Sequence, residues 1–359
     1  MACPPPIGSG TRWPSRNSST ATAASNRPAR ADGGTRLITA FDIRRLAPPT
    51  RGAVVSIGVF DGVHLGHQAT LAANVRRARE LDLTPTVVTF RRHPKRVLLG
   101  RAPRTLTSLE HRLELFKRAS IEQCLVLDFD EALREMPAEE FVRTHLVAAL
   151  AAREFVLGFD SKFGRDRRGG PELLRALGFP VEVIDEVRAA GRAISSTAIR
   201  EAVELGDLVA AAAMLGRPIS VLGHVIHGDK RGRQLGFPTA NLDLHHELHP
   251  PVGVYACRAW RLDRDPDCRA AGLPAVANIG LRPTLGRDEP PVPTVEVHLL
   301  DFHGDLYGER IELAFAARLR DERRFENLDA LRDQIERDVV AARAALTQAE
   351  GLPGPGSRG

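Results

Sequence analysis

The chain has 359 residues, of which 43% are hydrophobic, so we expect two domains with sizeable cores and exclude wholesale disorder. The formal net charge is +5, but residues 1–36 alone carry five arginines and one aspartate, which leaves only about +1 for the rest. A nucleic-acid surface needs clustered basic side chains on an ordered face, so we expect no nucleic-acid partner. The sequence holds no run of about 18 apolar residues, so we also expect no membrane span.

Residues 1–49 are rich in Ser, Pro, Ala and Arg, and we expect a mostly disordered extension there. The composition is similar to that of an organelle transit peptide, but a flexible tail is the preferred interpretation. A second disordered tail is expected at residues 348–359. The four cysteines are scattered without a Cys-x-x-Cys pair, which favours a reducing compartment, so we expect a cytoplasmic protein.

Residues 50–217 alternate short apolar runs with helical patterns. This alternation predicts an α/β domain with a doubly wound parallel sheet that is covered on both faces. The predicted strands are 54–60, 86–90, 124–129, 154–159 and 181–187. The predicted helices are 67–81, 109–119, 138–150 and 172–177.

Residues 218–347 show a different pattern, in which strand-like runs follow one another with turn residues but no helices between them. These runs are 220–226, 254–260, 275–279, 295–299 and 311–316. They predict an antiparallel barrel or sandwich, and we take the β-barrel as the expected fold. A terminal helix is expected after a cap at Asn327, because the apolar residues that follow it form one stripe.

The first candidate site lies where the first predicted strand ends and the first predicted helix begins. Residues 58–67 read Gly-Val-Phe-Asp-Gly-Val-His-Leu-Gly-His. Ligands of open α/β sheets bind at such turns, and the amides and dipole of a helix start attract phosphate. Gly62 and Gly66 let the backbone approach a ligand, and His64 and His67 can donate hydrogen bonds to phosphate oxygens. Two histidines at this spacing also occur as surface residues or a chance metal pair, but the combination favours a phosphate site.

This segment resembles the His-x-Gly-His signature of nucleotidylyltransferases, in the longer form found in bifunctional riboflavin kinase/FAD synthetases. Residues 195–200 read Ser-Ser-Thr-Ala-Ile-Arg and are similar to that family's second adenylylation motif. The resemblance implies that FMN phosphate attacks the α-phosphorus of ATP and expels pyrophosphate, with His64 and His67 as catalytic residues. It implies ATP binding by Gly58, Phe60, Asp61, Gly62, Gly66, Ser195, Ser196, Thr197 and Arg200. On the residues alone, a serine here is also a helix cap and Arg200 a solvated helix charge.

Two segments depart from the family pattern. Residues 89–94 read Thr-Phe-Arg-Arg-His-Pro, and residues 158–164 read Gly-Phe-Asp-Ser-Lys-Phe-Gly. The departures are at Arg91, Arg92, Phe159 and Ser161. The resemblance still implies an FMN or adenine side formed by Asp160, Phe163 and Gly164. The departures therefore concern contacts to flavin and adenine more than contacts to phosphate.

The second candidate site is a basic, glycine-rich loop that follows a predicted strand. Residues 223–241 read Gly-His-Val-Ile-His-Gly-Asp-Lys-Arg-Gly-Arg-Gln-Leu-Gly-Phe-Pro-Thr-Ala-Asn. Backbone amides can turn towards phosphates at its glycines, Gly228, Gly232 and Gly236. The Thr239 hydroxyl and the Asn241 carbonyl are hard oxygen ligands suited to Mg²⁺. Spacing alone supports an ordinary hairpin loop equally well.

The stretch Gly-Phe-Pro-Thr-Ala-Asn at residues 236–241 matches the signature of riboflavin kinases in full. Residues 253–256, 277–284 and 295–302 follow the same family in order. The resemblance implies that Glu296 is the catalytic base that takes the proton from the riboflavin 5′-hydroxyl. It places Asn278 and Arg282 tentatively on the flavin side. On the residues alone, Glu296 is equally a solvent-facing strand carboxylate.

The expected function is therefore phosphorylation of riboflavin to FMN and adenylylation of FMN to FAD. The resemblance implies riboflavin, FMN and ATP as substrates and Mg²⁺ as cofactor, with no tightly bound redox cofactor. Two alternatives stay open, a riboflavin kinase whose first domain is degenerate and a non-catalytic flavin- or nucleotide-sensing protein. The residues do not determine the oligomeric state.

Overall fold

The computed structural model describes the chain from residue 36 to residue 348 with internal gaps, and these residues belong to one compact unit. The described ranges are 36–189, 191–227, 236–244, 247–266, 268, 271–282 and 292–348. Most of the expected extension, and the expected tail beyond residue 348, lie outside them.

The first half of the described chain contains a six-stranded parallel sheet. Its strands are β1 Ile38–Ala40, β2 Ala53–Ile57, β3 Thr84–Phe90, β4 Gln123–Leu127, β5 Ala152–Gly158 and β6 Val181–Ile184. The strand order is β1-β4-β3-β2-β5-β6. Every residue of β2 and β4 is buried, as the apolar runs predicted for strands covered on both faces. The predicted α/β class is confirmed.

Eight helices and a small hairpin surround or follow this sheet in the described ranges. The helices are α1 Leu65–Leu81, α2 Lys95–Leu99, α3 Leu109–Arg118, α4 Glu131–Glu135, α5 Ala138–Phe141, α6 Pro171–Ala176, α7 Ser196–Glu204 and α8 Leu208–Leu215. The hairpin pairs β7 Arg188–Ala189 with β8 Arg192–Ala193. Helix α1 starts at the N-cap His64 and ends at Asp82, whose φ of 52° is left-handed. The candidate histidines therefore lie shortly after the C-terminal end of β2.

The second half is a closed antiparallel barrel, which confirms the expected fold. Its strands are β9 Ser220–Ile226, β10 Ala240–Asp243, β11 Gly253–Arg261, β12 Leu273–Arg282, β13 Val292–Leu299 and β14 Arg310–Arg320. Their order is β10-β13-β12-β11-β14-β9. Helix α9, Leu328–Gln348, starts where Asn327 Oδ1 accepts from the Ala330 amide at 2.8 Å, as predicted. Its Ala342 and Leu346 pack on residues of β11 and β12 that face away from the barrel interior.

Several elements differ from the sequence-based expectations: the short helices α2 and α4, helix α8 and the β7–β8 hairpin were not predicted, and three further differences have a physical reason. Strand β1 lies inside the expected extension and pairs in parallel with β4, so the sheet begins before residue 50. Strand β10 was expected as loop, because four residues after a proline are too few for a periodic signal. The helix expected at 138–150 continues beyond α5 as the π-helical stretch Val142–Ala148. There the Thr144 hydroxyl donates to the Glu140 carbonyl at 2.8 Å, a bond that competes with regular helical pairing.

The two halves share an apolar core. Residues of α7 and α8, including Ile199, Val203 and Leu215, join one buried cluster with barrel residues such as Val221 and Ile311. Burial of this cluster stabilises the contact between the halves as well as the barrel itself. None of the helices in the described ranges combines the length and the apolar content that a membrane crossing needs.

A buried charge cluster also joins the halves, and we call it the junction cluster: His111, Arg118, Glu247 and Glu312. His111 of α3 lies 3.3 Å from Glu247 Oε2 through Nδ1 and 3.1 Å from Glu312 Oε1 through Nε2. Arg118 donates to Glu312 Oε2 at 2.6 Å, and the Ser220 hydroxyl donates to Glu312 Oε1 at 2.9 Å. Burial opposes the charged form of His111, but Glu247 and Glu312 overcome this and raise its pKa to about 9.

This pKa predicts how stability depends on pH. A histidine whose pKa rises on folding contributes stability that is full below its unfolded pKa of 6.5 and is lost as the pH rises through about 9. The shift corresponds to about 3 kcal/mol. We expect the wild type to lose that much more unfolding free energy than His111→Gln between about pH 6 and about pH 10. Denaturant unfolding at both pH values measures it, and parallel curves for the two proteins would contradict the assignment.

Candidate active sites

The two histidines of the first site come together at the start of α1. Their rings stack, with centroids 3.6 Å apart and an interplanar angle of 18°. A Cβ at Gly66 would lie 3.4 Å from two atoms of the His64 ring, so glycine leaves room for this stack. His67 also contacts the edge of Phe60, with centroids 5.1 Å apart. The structure thus assembles His64, His67 and Phe60 as one group.

Both histidines are neutral near pH 7 in this structure. Burial, helped by Arg217 and opposed by Asp61, lowers the pKa of His64 to about 4. Burial, with His64 and Arg112 nearby, holds the pKa of His67 well below its usual range. The Nδ1 atom of His64 accepts from the His67 amide at 3.4 Å, so its proton sits on Nε2. A neutral imidazole still donates one hydrogen bond, which suits a phosphate oxygen.

The backbone of the loop before α1 is strained. Phe60, Gly62 and Val63 have φ values of 53°, 81° and 41°. Glycine adopts this left-handed region freely, but a β-branched residue rarely does. Such a residue costs about 1–3 kcal/mol and persists only where its surroundings enforce it. The surroundings of residues 58–64, which we call the histidine loop, therefore decide the shape of the site.

Asp61 ties the histidine loop to two other segments and is 3% exposed. Its carboxylate accepts from the amides of Leu106 at 2.9 Å and Thr107 at 3.1 Å. It also accepts from Arg200 Nη2 at 2.6 Å, and its backbone carbonyl accepts from the Ser196 hydroxyl at 3.0 Å. Asp61 thus accepts hydrogen bonds from protein donors of two other segments, which gives it a positioning role in the site.

The residues of the second motif divide between capping and loop contacts. Ser195 caps α7 by accepting from the Ala198 amide at 3.2 Å, and Thr197 is exposed in the first helical turn. Arg200, expected to reach a phosphate, is 8% exposed and donates through Nε to the Arg104 carbonyl at 2.8 Å. Together with its ion pair to Asp61, this bond makes Arg200 part of the frame of the site.

Sequence reasoning missed Arg112, which lies beneath the histidine loop. It donates to the Val59 carbonyl at 2.5 Å and to the Phe90 carbonyl at 3.0 Å. These two carbonyls lie at or just after the C-terminal ends of the neighbouring strands β2 and β3, so Arg112 links the two strand ends. One signal was available in the sequence: Arg112 shares the buried face of α3 with Leu115 and Phe116, where a charge needs a partner.

The expected flavin or adenine side has mixed surroundings. Asp160 is exposed just after β5. Phe163 is buried and packs on Phe141, with ring centroids 5.6 Å apart. Gly164 has a φ of 70°, and a Cβ there would lie 2.6 Å from Ala138 Cα. Phe163 and Gly164 are therefore packed against neighbouring residues, while Asp160 is exposed.

The departing segment after β3 has partners of its own. Arg91 pairs with Asp128 at 2.8 Å and lies over the Phe41 ring, 4.7 Å from its centroid. His93, two residues further, has a pKa lowered by burial, with Asp61 opposing the shift. The Nδ1 atom of His93 accepts from the Lys95 amide at 3.1 Å.

The second site is a row of polar side chains across three barrel strands. In the strand register Glu296 of β13 lies opposite Asn241 of β10 on one side and opposite Asn278 of β12 on the other. Val295 and Val297 are each 1% exposed and face the barrel core. Because side chains alternate along a strand, the Asn241–Glu296–Asn278 row faces away from that core.

A cavity of about 250 Å³ lies near the start of β10 and is lined by Thr239 and Ala240. None of the three side chains of the row lines this cavity. Apolar side chains supply much of the remaining wall, including Val225, Val297, Leu299, Phe302, Leu306 and Tyr307. Its apolar wall and polar edge are typical of a small-molecule site.

His298 holds the turn that carries Thr239, a role that the sequence pattern did not predict. Its Nδ1 atom donates to the Pro238 carbonyl at 2.8 Å, and its ring meets Phe237 edge to face, with centroids 5.5 Å apart. Gly236 precedes this turn with a φ of 86°. The loop residues Gly228 and Gly232 and the side chain of Arg282 lie outside the described residues.

Comparison with known proteins assigns two segments of the chain to two families. The FAD synthetase family matches residues 47–198, and the riboflavin kinase family matches residues 215–346. A bifunctional riboflavin kinase/FMN adenylyltransferase from Pseudomonas fluorescens is 40% identical over 306 residues, which cover 84% of this chain and 96% of that protein. A protein of the same name from Escherichia coli K12 is 37% identical and covers 82% of this chain and 93% of its own length. The chain belongs to the bifunctional riboflavin kinase/FMN adenylyltransferase family.

The architecture of this family member also occurs in a solved structure. A crystal structure of a macrolide-efflux protein from Streptococcus pneumoniae has a TM-score of 0.72 and 31% sequence identity, covering 86% of this chain and 98% of that one. The likeness therefore extends over both halves. In the present bifunctional family member, Asp61 lies in the FAD synthetase match and its partner Arg200 lies just beyond that match.

The Asp61–Arg200 contact predicts a large stability effect. Asp61→Ala leaves Arg200 buried without its anion, so we expect a loss of about 3–5 kcal/mol in unfolding free energy. Asp61→Asn keeps an oxygen that accepts from the amides of Leu106 and Thr107, so we expect a smaller loss of unfolding free energy. Glu131→Ala is the control, because its pair with Arg134 is exposed and contributes about 1 kcal/mol or less. Urea unfolding compares them, and equal losses for Asp61→Ala and Glu131→Ala would refute the role of Asp61.

Proposed function

We propose that this chain phosphorylates riboflavin to FMN with ATP and then adenylylates FMN to FAD, releasing pyrophosphate. One observation carries the proposal. The stacked histidines at the start of α1 lie inside the FAD synthetase match, and the Asn241–Glu296–Asn278 row lies inside the riboflavin kinase match. Each half of the chain thus holds a polar site within the segment that its own family shares.

In the proposed kinase step Glu296 takes the proton of the riboflavin 5′-hydroxyl. The hydroxyl oxygen attacks the γ-phosphorus of ATP, the bond from that phosphorus to the bridging oxygen of ADP breaks, and FMN and ADP form. Asn241 and Asn278 flank Glu296 in the strand register and would orient the hydroxyl and the carboxylate. The cavity beside Thr239 would take the nucleotide.

The donor set beside Glu296 fits Mg²⁺. The Thr239 hydroxyl and the Asn241 carbonyl are the oxygen ligands this ion prefers, with waters and phosphates as the remainder. In the part of the chain that the structure describes, no group of three or more His, Cys, Asp or Glu residues could hold a metal by itself. When bound, the ion neutralises charge on the ATP phosphates.

In the proposed adenylyl transfer a phosphate oxygen of FMN attacks the α-phosphorus of ATP. The bond from that phosphorus to the bridging oxygen of the pyrophosphate breaks, and FAD forms without a covalent enzyme intermediate. His64 Nε2–H and the His67 ring would donate to phosphate oxygens as charge builds up, and the first amides of α1 add to them. Because both rings are neutral in this structure, they would act as hydrogen-bond donors and not as fixed cations.

A product assay separates this proposal from its two alternatives. The full chain is incubated with riboflavin, ATP and Mg²⁺, and the flavins are resolved by HPLC. FMN followed by FAD supports the proposal, FMN alone indicates a kinase with a degenerate first domain, and flavin binding without turnover indicates a sensing protein.

Glu296→Gln keeps the shape of the side chain and removes the base. We expect riboflavin phosphorylation to fall about 10²- to 10⁴-fold. FAD synthesis from supplied FMN should stay near the wild-type rate, because that site lies in the other half of the chain. Steady-state rates with each substrate test this, and phosphorylation at the wild-type rate would exclude Glu296 as the base.

His64→Asn is the reciprocal variant. Asparagine still caps α1, so the helix start is preserved while the imidazole donor is lost. We expect FAD synthesis from FMN to fall about 10²- to 10³-fold. Riboflavin phosphorylation in the same preparation is the folding control, and a variant that makes FAD normally would remove His64 from the transfer site.

A further inference from the structure

The strained histidine loop is held by a residue of the short segment between α8 and β9, where the two halves of the chain meet. Arg217 is 7% exposed and donates through Nη2 to the Gly62 carbonyl at 2.9 Å and through Nη1 to the Val63 carbonyl at 3.2 Å. Gln68 donates to the same Val63 carbonyl at 2.9 Å and to the Leu215 carbonyl at 2.7 Å. Two side chains thus converge on the loop residues whose φ values are left-handed.

The segment that carries Arg217 packs closely against the start of α1. Gly216 ends α8 with a φ of 69°, and a Cβ there would lie 2.4 Å from a methyl carbon of Leu65. Arg217 falls within the riboflavin kinase match, which begins at residue 215, and outside the FAD synthetase match, which ends at residue 198. The segment that leads into the barrel therefore contacts the histidine loop directly.

These bonds fix the direction of the loop peptides. In a trans peptide the carbonyl and the following N–H point in opposite directions. When Arg217 holds the Val63 carbonyl, the His64 amide of the same peptide points away from Arg217. The guanidinium also places a positive charge under the loop, where the surrounding protein screens it weakly. Burial lowers the pKa of Arg217 only to about 10, so this charge persists at neutral pH.

We propose that Arg217 is a positioning residue for adenylyl transfer, through which the segment leading into the barrel holds the histidine loop in its phosphate-binding shape. The inference rests on the proposed function of the first site and adds a dependence on the segment that joins the two halves. It assigns Arg217 no contact with substrate, because its guanidinium donates to the carbonyls of Gly62, Val63 and Leu215.

The first test replaces Arg217 by methionine in the full chain. We expect kcat/KM for ATP in FAD synthesis to fall at least about 30-fold, while riboflavin phosphorylation stays within about twofold. Gln68→Ala should lower FAD synthesis in the same direction by a smaller factor. The matched control is Arg118→Met, since Arg118 is another buried arginine of the junction but bonds to Glu312 and not to the loop. Equal FAD synthesis in Arg217→Met and Arg118→Met would overturn the proposal.

The second test asks whether Arg217 acts by keeping Val63 in its strained, left-handed conformation. Glycine at position 63 adopts a left-handed φ without help, whereas alanine removes the same packing and keeps the strain. In the Arg217→Met background, Val63→Gly should recover at least about tenfold more FAD synthesis than Val63→Ala. Loss of folding alone would make both double variants equally poor, so equal rates would overturn the mechanism.

The wild-type assay separates failure of the inference from failure of the proposed function. If the wild type phosphorylates riboflavin but makes no FAD from FMN, the adenylyltransferase assignment fails and the role of Arg217 falls with it. If the wild type makes FAD and Arg217→Met makes it equally well, only the role of Arg217 is refuted.

Discussion

A backbone turn that its own residues disfavour, held in place by buried charges, is the constraint on which the first site depends. Val63 has a left-handed φ of 41°, and the turn keeps this shape because neighbours bind its polar groups. Asp61 reaches across to amides and to Arg200, while Arg112 and Arg217 hold carbonyls on the opposite side. The stacked histidines follow directly, so the order of the turn sets the position of the donors.

The second site depends on the register in which its strands pair, and not on a strained backbone. Asn241, Glu296 and Asn278 come together because three antiparallel strands pair at one alignment. A slip of one residue would turn Glu296 into the barrel core and bring a valine to the outer face. The buried Val295 and Val297 make that slip unfavourable, since each would lose its place in the core. Apolar packing of Val295 and Val297 on one face of β13 thus positions the Glu296 carboxylate on the opposite face.

The two halves are bound together more closely than a flexible linker would allow. An apolar core runs from α7 and α8 into the barrel, and the junction cluster sets His111 and Arg118 against Glu247 and Glu312 in buried surroundings. Buried charges of this kind are tolerated only when they are paired, so moving one half relative to the other would leave them uncompensated. The histidine loop, which accepts hydrogen bonds from Arg217 just before β9, therefore lies next to the point where the barrel packs against the first half.

The sequence by itself determined the two fold classes, the terminal helix and its cap, and the segments that carry both sites, because periodicity and turn residues report local burial. It also identified His64, His67, Thr239, Asn241 and Glu296 as a set of chemically suitable side chains. Only the tertiary structure decided that Asp61 pairs with Arg200, 139 residues away, and that Arg217 supports the histidine loop. Strand β10 likewise depends on pairing with β13, and the contact of His298 with the Pro238 carbonyl joins residues that are distant in sequence. Such contacts leave no local pattern, because the free energy of a buried charge depends on which distant group the fold brings beside it.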